Sequence, residues 1–134
     1  MGTQTTPGRI LIIDDEDLIR WSLRQSLQDE GYSVTTLPTG EGAVQHAEGA
    51  DLVLLDWRLP GADGLAVARE LMKARPSLPV ILMTAYGTPE VMDEAAALGI
   101  RRVLLKPFDL EEVVPLVRAA LRSPSRGLEA GGEG

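Results

Sequence analysis

The sequence has no cysteine, one histidine, and only two tryptophans, two tyrosines and one phenylalanine in 134 residues. Without cysteine there are no disulfides and no thiolate metal sites, so the chain does not depend on an oxidising compartment. Basic residues are also scarce. Thirteen Lys and Arg face twenty Asp and Glu, for a net charge of −7. That balance argues against direct nucleic-acid binding, because gripping a phosphate backbone requires a basic surface. No apolar run approaches the roughly 18 residues of a membrane span. The opening stretch, MGTQTTPGR, carries no signal-peptide core. These absences lead us to expect a cytoplasmic domain with no membrane association. The length suits one domain with a sizeable core.

What is present is alternation. Five short apolar runs occur at Ile10–Ile13, Ser33–Thr36, Leu52–Leu55, Val80–Met83 and Val103–Leu105. Continuous runs of this length suit parallel strands covered on both faces. Helical spacing fills the gaps. Residues 16–30 place Ile19, Leu23 and Leu27 on one stripe, with Gly31 as a stop. Further helices are predicted over 40–48, 64–74, 89–98 and 110–122. Asp109 and Glu112 form a capping-box pattern before the last one, and Pro115 predicts a bend or a late start within it. Five strand–helix alternations imply an α/β fold: a doubly wound, five-stranded parallel sheet with helices on both faces. The expected strand order is flavodoxin-like, 2-1-3-4-5. The domain is expected over 8–122. Residues 123–134, rich in Gly, Ser and Pro, are expected as a flexible tail or linker stub.

Polar residues fall where each strand should end. Asp14 and Asp15 follow the first run, Asp56 the third, Thr84 the fourth and Lys106 the fifth. In open α/β sheets the ligand site lies beyond the carboxyl ends of the strands. Three carboxylates, a hydroxyl and an ammonium should therefore share one edge. Clustered carboxylates repel unless a cation sits among them, and hard oxygen ligands favour Mg²⁺. Asp15 and Asp56 are the best direct ligands, with Asp14 acting through water. Such a site with Lys106 and Thr84 would suit phosphoryl oxygens, and a carboxylate can itself take the phosphoryl group. Asp56 is the central candidate.

The stretches IIDDED, LLDWRLPGADG, MTAYG and LLKPF resemble the receiver domains of bacterial two-component response regulators, over about residues 8–122. DLIRW, LPGADGL and MTAYG are closest in flavour to NtrC-like transcriptional activators. The resemblance implies that Asp56 is the phosphoacceptor and that Asp14 and Asp15 are the acidic metal pair. It also implies that Arg58 offers its backbone carbonyl to Mg²⁺. Thr84 becomes the switch hydroxyl, Lys106 the phosphate-binding lysine, and Lys106–Pro107 a cis peptide. One residue departs from the family pattern: Val103 stands where a mobile Tyr or Phe is usual.

The function implied is a Mg²⁺-dependent phosphorylation switch in transcription regulation. A sensor histidine kinase supplies the phosphoryl group, and an output domain or partner is controlled. The domain would not be an enzyme beyond its own phosphorylation and dephosphorylation. The responding surface is expected along the 89–122 face, through the loop of Tyr86, with possible homodimer contact there. The alternative is a degenerate receiver acting as a phosphorylation-independent docking module. An aspartyl-phosphate phosphatase is disfavoured, because its second Asp is replaced by Arg58. No Gly-rich nucleotide motif occurs. His46, Trp21, Trp57, Arg101, Arg102, Met72, Met83 and Met92 read as surface or packing residues.

Overall fold

The computed structural model of the chain describes residues 8–59 and 62–122. The tail expected over 123–134 lies outside the described residues. In chain order the elements are β1 (Arg9–Ile13), α1 (Asp17–Asp29), β2 (Ser33–Leu37), α2 (Ala43–Ala47), β3 (Leu52–Asp56), β4 (Arg58–Leu59) and β5 (Ala62–Asp63). They continue as α3 (Gly64–Ala74), β6 (Val80–Thr84), α4 (Pro89–Ala97), β7 (Arg102–Leu105) and α5 (Leu110–Arg122). The five long strands pair in parallel in the order β2-β1-β3-β6-β7. With the small antiparallel hairpin β4–β5 set aside, this is the expected 2-1-3-4-5 order.

Strand periodicity sorts the core into two layers. Leu11, Ile13, Val53, Leu55, Val80 and Leu82 point toward α2, α3 and α4, where they meet Ala43, Ala68, Leu71 and Ala95. Ile10, Ile12, Leu52, Leu54, Ile81 and Met83 point the other way and meet Leu23, Leu27, Val113 and Val117 of α1 and α5. The central strands β1, β3 and β6 are buried on both faces. Each fully buried Leu or Ile there stabilises the fold by about 1.5–3 kcal/mol. The sheet is thus held rigid behind its carboxyl edge.

Local signals set the element ends. Gly31 adopts φ 96°, which ends the turn after α1. Thr88 caps α4 by accepting from the Val91 amide at 3.3 Å, and Pro89 follows as the first helical residue. At α5 the Glu112 carboxylate accepts from the Asp109 amide at 3.3 Å, the returning arm of the capping pattern. Gly64 opens α3 against the backbone that follows β3. A Cβ there would lie 2.4 Å from the Asp56 carbonyl oxygen and 2.7 Å from the Trp57 Cα. No other residue fits so close an approach, which accounts for the Asp63–Gly64 step in the sequence.

Two expectations change. The second helix is shorter than 40–48 and spans only Ala43–Ala47, because Gly42 at φ 77° forms the turn that precedes it. Pro115 does not delay α5, which runs from Leu110 to Arg122. Pro115 lies on the solvent side, as does Glu111, so water can satisfy the carbonyl whose partner is missing.

Candidate phosphoryl-transfer site

Asp14 follows β1, Asp56 ends β3, Thr84 ends β6 and Lys106 follows β7. The parallel register brings these positions to one edge. Backbone hydrogen bonds splice the ends together: the Trp57 amide donates to the Met83 carbonyl at 2.8 Å, and the Lys106 amide to the Thr84 carbonyl at 2.8 Å. Asp14, Asp56 and Thr84 are the buried polar residues of the described core. Asp15 is exposed.

Lys106 is the hub. Its Nζ lies 3.0 Å from Asp14 Oδ2, 3.3 Å from Glu16 Oε1 and 3.4 Å from Asp56 Oδ2. The other carboxylate oxygens take backbone amides. Asp14 Oδ1 accepts from Glu16 at 2.9 Å, and Asp56 Oδ1 accepts from Arg58 at 3.2 Å. The Lys106–Pro107 peptide that carries the lysine into the site is cis, as the resemblance implies. The Thr84 hydroxyl accepts from the Tyr86 amide at 2.9 Å. These groups face an open cleft of about 700 Å³ whose walls include Asp15, Asp56, Arg58, Thr84, Tyr86 and Lys106.

Electrostatics separates the groups. Burial, reinforced by the neighbouring Asp14 charge, raises the Asp56 carboxyl from 3.8 to about 6 against the pull of Lys106 and the Arg58 amide. Burial by itself would lower Lys106. The hydrogen bond and charge of Asp14, with the charge of Asp56 and the Glu16 contact, outweigh it and leave the ammonium above its usual range. One ammonium therefore serves several carboxylates. Asp14, Asp15 and Asp56 each offer an oxygen within 4.8 Å of the others. An all-oxygen, acid-rich set of this size can hold a hard divalent cation.

Asp15, Asp56, Thr84 and Lys106 thus line one cleft with Arg58, and Asp14 lies fully buried behind it, held to Lys106. Sequence reasoning missed Glu16. Its signal was its place two residues beyond Asp14, where its amide folds back onto that side chain. It also missed the contact of the Arg58 side chain, whose guanidinium carbon sits 4.9 Å from the centre of the Tyr86 ring. Of the residues read as bland, His46 is exposed, with its Nδ1 2.9 Å from the Gly42 carbonyl oxygen. Trp21 is exposed, Met83 is core, and Trp57 packs against the core edge.

Residues 10–118 match the family described as the response regulator receiver domain. The chain belongs to that family. Its relatives include a transcriptional regulatory protein of Bacillus subtilis, YkoG, 44% identical over 86% of this chain and 51% of that protein. The DNA-binding transcriptional regulator NtrC of Escherichia coli is 36% identical over 85% of this chain and 25% of that protein. The receiver therefore spans about half or less of these relatives. Among solved structures, a CheY-like receiver domain protein from Methanospirillum hungatei superposes with a TM-score of 0.80, at 28% identity, over 85% of this chain and 93% of that one. NtrX from Brucella abortus gives a TM-score of 0.80 at 32% identity, over 89% of this chain and 28% of that one. The receiver is thus a signalling module of the two-component class. No described helix is long and apolar enough to cross a membrane.

Proposed function

We propose that residues 8–122 form a receiver unit in which Asp56 accepts a phosphoryl group from the phosphohistidine of a sensor kinase. The observation that carries this reading is the Asp56 carboxylate itself. It is buried at a strand end, lies 3.4 Å from the Lys106 ammonium, and opens onto a cleft shared with Asp15 and Thr84. With its pKa near 6, Asp56 is mostly ionised at pH 7 and available as a nucleophile. A carboxylate oxygen forms a bond to phosphorus as the phosphorus–nitrogen bond of the donor breaks and the imidazole leaves. Lys106 neutralises charge on the transferring group, and the Thr84 hydroxyl turns to donate to a phosphoryl oxygen. Asp14, Asp15, Asp56 and the Arg58 backbone carbonyl would hold Mg²⁺, which supplies positive charge to the carboxylates and the phosphoryl oxygens. Hydrolysis returns Asp56 to its free form, so the only substrate the domain turns over is itself.

The phosphorylated state then acts on an output domain or partner in transcription regulation, within the cytoplasm. The 89–122 face, where Met92, Leu105 and Leu110 are exposed, is the surface proposed for a second copy or a partner. Incubation with a small acyl-phosphate donor and Mg²⁺, read by intact mass, tests the reading. One phosphoryl group should appear, and it should vanish in Asp56→Asn and with a chelator. A wild-type chain that takes no label while still binding a partner would favour the docking-module alternative. Unchanged labelling of the Asn variant would refute the acceptor assignment.

A further inference from the structure

Val103 is half-buried on β7 and has no ring to move. The half-exposed ring near the site is that of Tyr86, on the loop after β6, and the Arg58 guanidinium lies over it at 4.9 Å. Both ends of this contact are tied by backbone to a reacting side chain. The Arg58 amide donates to Asp56 Oδ1 at 3.2 Å, and the Tyr86 amide donates to Thr84 Oγ1 at 2.9 Å. The contact therefore closes a loop: Asp56, Arg58, Tyr86, Thr84. Each amide loses or re-aims its acceptor if its partner side chain turns to a phosphoryl group. A Cβ at residue 87 would lie 2.8 Å from Leu105 Cδ2, so the glycine of this loop packs closely against a β7 side chain.

We infer that the Arg58–Tyr86 contact is a latch of the unphosphorylated state, broken when Asp56 is modified, and that it carries the switch signal in place of a ring at position 103. This inference rests on the phosphoacceptor reading above. A contact made in only one state shifts the equilibrium by its own strength. An exposed cation–π contact is worth about a two- to fivefold change in an equilibrium constant.

The test measures affinity for beryllofluoride in the presence of Mg²⁺, together with the Tyr86 ring resonances by NMR. Tyr86→Leu leaves the charge unchanged and removes the π face, so it should bind the mimic about two- to fivefold more tightly. Tyr86→Phe, which keeps the π face, should match wild type. In an Arg58→Gln background the Tyr86→Leu substitution should have no further effect, which isolates the pair. In wild type the mimic should shift the Tyr86 ring toward the position it has in Arg58→Gln without the mimic. Equal affinities in wild type and Tyr86→Leu, with an unmoved ring and normal mimic binding, would overturn the latch alone. Failure of wild type to bind the mimic at all would overturn the phosphoacceptor reading and the latch with it.

Discussion

The two ends of the sheet use the same kinds of polar residue in opposite ways. At the amino end, charges are matched to what they touch. Asp51 accepts from the Arg9 amide at 2.8 Å, and Arg75 donates to the carbonyls of Ala47 and Ala50, both at 2.6 Å, closing the chain after α2. At the carboxyl end the match fails. Lys106 is shared by Asp14, Glu16 and Asp56, and Asp15 stands beside them. Burial leaves Asp56 short of stabilisation for its charge, as its raised pKa records. Polar groups that fold the chain are paired off. The polar groups proposed to hold a metal and a phosphoryl group are left in excess, and the folded state carries that cost.

Lys106→Ala should give the largest effect. It removes the one ammonium bridging two buried carboxylates, so metal-free stability at pH 7 should fall by about 3 kcal/mol or more. Mg²⁺ should restore part of it, because the ammonium is not a metal ligand. Phosphoryl labelling should slow by about 100-fold even in saturating metal. Denaturant unfolding with and without Mg²⁺, alongside labelling rates, checks all three. Loss of Mg²⁺ binding in this variant would count against the assignment of roles.

Gly64→Ala comes next. The added methyl meets the Asp56 carbonyl oxygen at 2.4 Å, so the acceptor loop must shift. Stability should drop by about 2–3 kcal/mol, and the Asp56 labelling rate should drop with it. An unaffected labelling rate in a destabilised variant would show that α3 supports the fold without positioning the acceptor.

Arg75→Ala probes the matched end. Removing a charged donor from two carbonyls should cost about 2 kcal/mol. Here the loss should be the same with and without Mg²⁺, and labelling should stay at the wild-type rate. A Mg²⁺-sensitive loss would erase the distinction between the two ends.

Much of this arrangement was legible because period and position carry it. Runs such as Leu52–Leu55 read as strands covered on both faces, and after four of the five runs the next polar residue fell at the site edge. What escaped had no periodic signal. The hairpin Arg58–Leu59 with Ala62–Asp63 has two residues per strand, too few to alternate. β7 begins at Arg102, a charge that hides its first residue. Asp14 and Asp15 are adjacent and chemically identical, yet one is fully buried and the other exposed. The alternation of a strand passing into a turn decides that, and composition does not. The Arg58–Tyr86 contact joins β4 to the loop after β6, 28 positions on, and Arg75 reaches carbonyls 25 and 28 residues away. Such pairings follow from the folded backbone and leave no local trace.

The same mismatch sets a pH dependence. The folded Asp56 pKa of about 6 lies above the ordinary 3.8. Its contribution to stability is therefore fully present below about pH 4 and is lost as pH rises through about 6. Asp56→Asn, which cannot ionise, should show no such loss.

The most direct test of the account is the unfolding free energy of wild type against Asp56→Asn at pH 7, without metal and then with Mg²⁺. Without metal the Asn variant should be the more stable, by roughly 1–3 kcal/mol. The advantage should fade toward pH 4, and it should shrink or reverse when Mg²⁺ is added to both. An Asn variant less stable than wild type without metal would show that Asp56 is a structural group like those of the amino end, and would contradict the account.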